Sequence, residues 1–338
     1  MSTRLPRNKA PRLTLLGAAT FVTLYAVSTT AASAAPADFA TSVHNASLFG
    51  QAMQSSVQTF VQGTSRCEVF GTGGYCLSAG SLYTSHAGQE RGNNVLGELN
   101  VGYRLTSNWV VGVGYQGPSY KLSINGDNAK SNANTFGAYV EYGNRLRQGA
   151  FARVALAYQR GHATIDRSYL TGVDAEGSTG STTIGQQAAS AQAGYVLIAG
   201  GNMAVMPYLG VDYLKTKIDG YMESGGQRPA NFNSRTETNF YGTAGLTGSI
   251  NLSGKAIITA GLKHAQRLNK HQEPISGDAI DSFSVGQESI NHWSEANIGV
   301  QVPGPMKASR LSVSYAHRFA SGSPVARDVA GVTLSIGF

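Results

Sequence analysis

The sequence predicts an all-β fold: a twelve-stranded antiparallel transmembrane β-barrel with an N-terminal amphipathic helix in its lumen. Three observations predict it. From residue 90 onward, apolar side chains alternate with polar or small ones, as in strands with lipid on one face and a polar lumen on the other. Short connections alternate with long polar ones. The chain ends on an apolar strand, and a closed barrel gives such a strand a neighbour on each side.

The first 34 residues have the pattern of an export signal. A basic start precedes a mostly apolar stretch from Leu13 to Val27, and Ala32-Ser33-Ala34 fits a small-x-small cleavage pattern. We predict cleavage between Ala34 and Ala35 after export through the Sec pathway. The segment holds four basic residues and no acidic one, so its removal lowers the formal net charge from +7 to +3. This small positive charge does not indicate a nucleic-acid partner, and the sequence shows no basic patch with interleaved aromatics.

Residues 37–62 predict one helix, because apolar side chains recur every three or four positions. At 1.5 Å per residue this helix is about 39 Å long, but its remaining faces carry Gln, Ser and His and are too polar for lipid. It holds no Lys or Arg, whereas helices on membrane surfaces are rich in both. We therefore assign residues 35–65 to a plug helix in a polar lumen and residues 66–338 to the barrel.

Cys67 and Cys76 enclose eight residues, and no further metal-ligating side chains cluster near them. In an exported chain such a pair predicts a disulfide, which loop-closure entropy makes worth roughly 2.7 kcal/mol for a loop of this length.

Twelve strands account for the rest of the chain. They are predicted at 78–90, 93–105, 109–122, 134–145, 149–165, 186–199, 203–218, 236–251, 255–267, 292–303, 308–320 and 327–338. The first strand could instead start near Arg66. Long loops are expected at 120–134, 166–185, 219–235 and 268–291, on the cell surface, with short periplasmic turns at the opposite end.

On the last strand, Val332, Leu334, Ile336 and Phe338 share the face predicted to contact lipid. Tyrosines and a tryptophan near strand ends favour aromatic girdles at the two membrane interfaces. They include Tyr103, Trp109, Tyr115, Tyr158 and Tyr213.

One local run resembles a known family. Gly97-Glu98-Leu99-Asn100-Val101-Gly102-Tyr103-Arg104-Leu105-Thr106-Ser107-Asn108, followed by Val111-Gly112-Val113-Gly114-Tyr115, is similar to the second and third strands of autotransporter (type V secretion) translocator domains. The resemblance covers about residues 40–338. It implies a helix threaded through the pore and a C-terminal strand, ending in Phe338, that the barrel-assembly machinery recognises. Family members carry a passenger of hundreds of residues, whereas few residues separate Ala35 from the helix. We therefore expect no substantial passenger and carry over no self-cleavage site.

The leading hypothesis is an outer-membrane barrel of autotransporter type without a passenger, with a helix-plugged pore and a structural or surface-interaction role. Its expected partners are outer-membrane lipid and lipopolysaccharide, the barrel-assembly machinery, and host or surface ligands that bind the loops. The alternative is a porin-like channel for small solutes, lined by Glu98, Arg104, Glu141, Arg153 and Lys263.

An outer-membrane hydrolase is a more distant alternative. Asp278, Asp281 and His292 border one loop, but no motif supports catalysis. Gly112, Gly114 and Gly117 have the spacing of a dinucleotide-binding fingerprint, but they lie in a predicted strand and no helix follows them. The histidines are dispersed. We expect no enzymatic activity, no cofactor and no metal site.

Overall fold

The structure is a computed structural model. It describes residues 39–63, 66–86, 90–117, 120–124, 127–171, 174–269, 273–279, 282–285, 291–319 and 327–338. The predicted export signal, residues 1–34, and its cleavage site between Ala34 and Ala35 lie outside these ranges.

One helix and seventeen strands make up the described part of the chain. Helix α1 covers Phe39–Gln62. None of the described helices is both long and apolar enough to cross a membrane. The strands are β1 (Tyr75–His86), β2 (Glu90–Arg104), β3 (Trp109–Gln116), β4 (Tyr120–Ile124), β5 (Asp127–Tyr142), β6 (Gly149–Thr171), β7 (Asp174–Ala199), β8 (Met203–Ile218), β9 (Tyr221–Ser224), β10 (Asn231–Phe232), β11 (Arg235–Leu252), β12 (Ala256–Arg267), β13 (Ile275–Asp278), β14 (Ser282–Val285), β15 (His292–Pro303), β16 (Ser309–Phe319) and β17 (Asp328–Gly337).

Twelve strands close into an antiparallel barrel, because β1 pairs with both β2 and β17. The order around the barrel is β1, β2, β3, β5, β6, β7, β8, β11, β12, β15, β16 and β17. The short strand β4 continues β3 against β5 in one register: Trp109 faces Tyr142, and Tyr120 faces Ser131. The predicted twelve-stranded barrel is confirmed.

Side chains alternate between the two faces of the barrel wall as predicted. On β2, Val95 and Leu99 are exposed, whereas Leu96 and Glu98 are buried in the lumen. On β17, Val332 is 47% exposed and Ser335 is fully buried. The wall therefore presents mainly apolar side chains outward and a mixture of polar, small and some apolar side chains inward, a pattern that matches a surrounding lipid layer.

The two ends of the barrel differ. At the turn end, short turns join the strands, and the first and last strands meet: Tyr75 N donates to Phe338 O at 3.2 Å, and Phe338 N donates to Tyr75 O at 3.1 Å. At the opposite, hairpin end, long hairpins project, the longest formed by the 23 residues of β6 and the 26 of β7.

The four predicted loops are wrong in their extent. The strands continue through most of 120–134 and 166–185, and only 125–126 and 172–173 separate the paired strands. In 219–235 and 268–291, the strands β9, β10, β13 and β14 form a small sheet. Ser, Thr, Gly and Asn fill these segments, so the apolar alternation disappears from the sequence while backbone pairing persists.

The first strand begins at Tyr75, three residues before the predicted start. A start near Arg66 is wrong, because residues 66–74 form no strand. Gly71, Gly73 and Gly74 interrupt this segment, and Gly74 adopts a φ of 79°, which favours glycine.

Candidate functional site: the helix-filled lumen

Helix α1 lies inside the barrel against β5, β6, β7 and β8. All residues from Met53 to Val61 are buried, the polar ones included. Two apolar clusters hold the helix against the wall. The first joins Val43, Phe49 and Met53 to Ile165, Ile184 and Ile218; the second joins Val57, Phe60 and Val61 to Tyr139, Ala157 and Leu214.

Two inward-facing glycines give Phe60 its place in the second cluster. A Cβ atom at Gly114 would lie 2.9 Å from Phe60 Cζ, and one at Gly137 would overlap the Phe60 ring. These distances are shorter than van der Waals contact, so glycine at both positions lets the aromatic ring reach the wall.

A buried polar group, the N-terminal anchor, consists of Ser42, Asn45, Asp127, Arg167 and Glu223. Arg167 Nε and Nη2 each donate to a Glu223 carboxylate oxygen at 2.6 Å, and both side chains have zero exposure. Arg167 Nη1 donates to Ser42 Oγ at 3.1 Å, and Asn45 Nδ2 donates to Asp127 Oδ2 at 2.9 Å. The first turns of the helix are thereby bound to β5, β6 and β9.

A second group, the C-terminal anchor, binds the last turns of the helix. It consists of Thr59, Gln62, Asp212, Lys263, Glu295 and Arg318. Gln62 donates to Asp212 Oδ2 at 2.6 Å and accepts from Lys263 Nζ at 2.8 Å. Glu295 pairs with Lys263 at 3.1 Å and with Arg318 at 2.7 Å. Arg318 Nη2 also donates to Thr59 Oγ1 at 3.1 Å. The helix is thus bound to β8, β12 and β16, and Glu295 of β15 holds the two basic side chains of this group.

The direction of the helix follows from two arginines on β6. Arg167 contacts Ser42, whereas Arg153, fourteen residues nearer the turn end, donates to Val61 O at 2.9 Å. The helix therefore runs from the hairpin end towards the turn end. It stops at Gly63, whose φ of 101° is typical of a helix-terminating glycine.

Residues 66–74, here called the strap, connect the helix to β1 across the turn end of the lumen. A disulfide joins Cys67 to Cys76 at the start of β1, as predicted. Glu68 accepts from Gln301 Nε2 and Ser312 Oγ, each at 2.8 Å, and the Arg104 guanidinium lies 4.6 Å from the centre of the Phe70 ring. The strap is therefore fixed to both sides of the barrel mouth.

Guanidinium groups crowd the turn end. Arg66, Arg145 and Arg153 each lie 3.6–3.9 Å from Glu141 Oε2. Burial, followed by the charge of Arg66, lowers the pKa of Arg145 in the adjoining turn to about 9. Three guanidinium groups thus share the single carboxylate of Glu141.

A cavity of about 270 Å³ remains beside the helix, on the side of β12, β15 and β16. Its lining includes four basic side chains, those of Arg66, Arg145, Lys263 and Arg318, and two acidic ones, those of Glu68 and Glu295. The helix therefore occupies the lumen off-centre and leaves a polar, partly charged space.

The sequence-predicted channel residues do line the lumen, but most of them contact the helix or the strap. Arg153 and Lys263 bind the helix, Glu141 pairs with Arg66, and Arg104 packs on Phe70. Glu98 accepts from Gln116 Nε2 at 2.9 Å. Sequence reasoning missed Asp127, Arg167 and Glu223, because all three fell in segments predicted as loops.

Two of the residues weighed for a hydrolase, Asp278 and His292, have separate described contacts. Asp278 accepts from Ser282 Oγ at 2.8 Å, whereas His292 is exposed beside His264, with ring centres 6.2 Å apart. Asp281 lies outside the described ranges. Within those ranges, no three His, Cys, Asp or Glu side chains are placed to hold a metal ion.

A closed twelve-stranded barrel of outer-membrane type, with a helix running through its lumen into the first strand, defines the class of translocator barrels. The family model "Autotransporter beta-domain" matches residues 79–328. The chain belongs to the autotransporter beta-domain family. Barrels of this family are transport barrels that are embedded in the outer membrane and assembled by the barrel-assembly machinery.

Two solved structures share the fold. The translocator domain of the autotransporter NalP from Neisseria meningitidis superposes with a TM-score of 0.69 at 18% identity, covering 89% of this chain and all of that one. The beta domain of the Bordetella autotransporter BrkA gives a TM-score of 0.53 at 18% identity, covering 79% of this chain and 99% of that one.

A curated relative is the "Uncharacterized protein in trpE-trpG intergenic region" of Pseudomonas putida, 30% identical over 199 residues. The match covers 56% of this chain and 32% of that protein, so the matched part spans about a third of the relative's length.

Proposed function

We propose that this chain is an outer-membrane translocator barrel whose pore is plugged by α1 and whose hairpin end faces the cell surface. The course of the helix carries the proposal: its first turns are bound at the hairpin end by the N-terminal anchor, and its last residue leads to the strap at the turn end. Phe39, the first described residue of the helix, therefore lies towards the hairpin end.

An epitope inserted directly before Phe39 tests this course. On intact cells, we expect an antibody to bind this epitope. The matched control is the same epitope in the turn at Ser253 and Gly254, which should be detected only after the outer membrane is permeabilised. Detection of the two epitopes in the reverse pattern would contradict the proposed orientation.

A porin-like channel is the second candidate, and the cavity beside the helix favours it. Conductance across a planar lipid bilayer separates the two functions. A plugged barrel should conduct only after residues 39–62 are deleted or the helix is displaced by Gly137→Leu, which adds a side chain where Phe60 packs. A large, steady conductance of the unaltered protein would instead support the channel.

Three exposed apolar side chains at the hairpin end support a role in surface contacts. Leu170 and Met222 are 40% and 74% exposed there, and Leu268 is 56% exposed. Exposed apolar side chains beyond the lipid-facing band are available to a partner. Replacing all three with serine should reduce clumping of cells that display the barrel, without changing its amount in the membrane. Unchanged clumping would remove the support for this role.

A further inference from the structure

Outward-facing basic side chains gather at the hairpin end of one side of the barrel, on β4, β5, β6 and β8. They are Lys121, Lys130, Arg160, Lys215 and Lys217, all exposed, and are called the basic belt. Directly towards the turn end lie the outward aromatic side chains Tyr115, Phe136, Tyr158 and Tyr213. Arg160 is two residues beyond Tyr158, which is about 7 Å along a strand.

Strand register places like charges side by side. Lys121 of β4 stands directly opposite Lys130 of β5. Like charges directly opposite on neighbouring strands are destabilising, and an anion between the two ammonium groups would offset this repulsion. Both side chains face outward, where the helix and its anchors contribute no counter-charge.

A second basic pair flanks a gap. Gly185 of β7 pairs with Arg160 on β6 and with Lys217 on β8, so the two cations stand on either side of a residue that has no side chain. A Cβ atom built at Gly185 meets no atom within 4 Å. The two cationic strands are separated by two strand spacings, about 10 Å, which leaves room for an oxyanion between the side chains.

Acidic side chains do not cancel the belt. Asp219 pairs with Lys217 at 3.0 Å, but the two side chains are 45% and 63% exposed, so water screens their attraction. Asp166 accepts from Thr179 Oγ1 at 2.9 Å, further towards the hairpin tip. Among the side chains that the structure describes on this surface, five basic groups therefore face two acidic ones.

We propose that the basic belt binds the phosphate groups of lipopolysaccharide, while the acyl chains of the same molecule pack on the aromatic and apolar band next to it. Arg and Lys form charge-assisted hydrogen bonds with phosphate oxygens, and the continuity of the belt with the apolar band selects an amphiphile over a free anion. The inference rests on the proposed function, because that function places the hairpin end in the outer leaflet.

Binding of purified lipid A to the full mature protein in zwitterionic detergent tests the belt without reference to orientation. The variant Arg160→Gln/Lys217→Gln should weaken binding at least about tenfold, as expected for the loss of charge-assisted contacts. Gly185→Leu should also weaken binding, because it fills the gap and leaves every charge in place. The matched control, Lys255→Gln/Lys307→Gln, removes two basic residues from turns at the opposite end and should change affinity less than twofold.

Dephosphorylated lipid A and inorganic phosphate separate the sources of affinity. We expect the unaltered protein to bind both far more weakly than intact lipid A. Equal binding of dephosphorylated lipid A, tight binding of inorganic phosphate alone, or equal losses in the belt and control variants would overturn the inference. If binding fails while the epitope before Phe39 is still detected at the surface, only the belt is wrong and the translocator function stands.

Discussion

At the scale of single residues, the Arg167–Glu223 pair is the most buried charge contact in the described lumen, with zero exposure of both side chains. Ser178 Oγ and Ala230 N also donate to Glu223, at 2.8 and 3.0 Å. Hydrogen bonds from Arg167, Ser178 and Ala230 therefore satisfy this carboxylate inside the protein. A buried pair of this kind contributes little when intact, yet losing one partner is costly because the other charge is left in a dry site.

Glu223→Gln should destabilise the barrel by about 3–5 kcal/mol, because the Arg167 guanidinium loses its counter-charge. Unfolding in urea, followed by the gel mobility of unheated samples, measures the change. Asp219→Asn, which breaks the exposed pair with Lys217, is the control and should cost less than about 1 kcal/mol. Equal losses in the two variants would show that burial of the Arg167–Glu223 pair is not what matters.

Gly137→Leu tests the packing of the helix at one residue. The added side chain takes the space of the Phe60 ring, so the helix should leave the wall and the pore should open to ions. Gly97→Leu is the matched control, since a Cβ atom at this outward position meets no atom within 4 Å. Single-channel recordings should show new conductance in the first variant and none in the second. If neither variant conducted, the position of the helix in the lumen would not depend on the packing of Phe60.

At the scale of elements, the strap and the last strand complete the turn end of the barrel. The strap lies across the lumen with a disulfide at its base, and Phe338 stacks on Tyr75 with ring centres 6.1 Å apart. The stacking follows from the pairing of β1 with β17, which places Tyr75 beside Phe338.

The double variant Cys67→Ser/Cys76→Ser should lower the free energy of unfolding by roughly 2.7 kcal/mol, because the open chain regains loop entropy in the unfolded state. Urea unfolding measures this. Chemical reduction of the unaltered protein should produce the same loss, and reduction of the double variant should produce none. If reduction left the free energy of unfolding of the unaltered protein unchanged, the stabilising role of the disulfide would be contradicted.

We propose that Val332, Leu334, Ile336 and Phe338 form the signal read during assembly. Phe338→Ala should lower the amount of folded barrel in cells, yet barely change the urea stability of refolded protein, because the Phe338 ring is 58% exposed. Leu311→Ala, an outward change on β16, should affect neither. Normal assembly of Phe338→Ala would count against the signal.

The sequence allowed the barrel wall to be predicted wherever the two faces differ in polarity. Val95 and Leu99 face lipid and Glu98 the lumen, so the alternation is visible in the sequence. The extensions of β6 and β7 beyond the apolar band lack this contrast, and their strands were predicted as loops. For the same reason Arg167 was missed, although it is the central residue of the N-terminal anchor. Contacts between distant strands carry no local sequence signal.

At the scale of the whole molecule, closure of the barrel and the position of the helix belong together. Polar side chains of α1 are buried in the lumen, where Asp212, Lys263 and Arg318 satisfy them across several strands. The same helix would be poorly matched to lipid, because its polar groups would be left without partners. The wall supplies an apolar surface to the membrane and a polar one to the helix.

The central claim is that the helix threads the lumen with its first turns at the hairpin end. Cysteine pairs and a short thiol crosslinker test it most directly, with the native Cys67–Cys76 disulfide kept intact and peptide mapping used to identify the joined residues. Asn45→Cys with Asp127→Cys should cross-link, because these side chains are hydrogen-bonded at 2.9 Å. Asn45→Cys with Glu141→Cys, fourteen residues along β5 towards the turn end, should not. Cross-linking of the second pair alone, or of neither pair, would contradict the account.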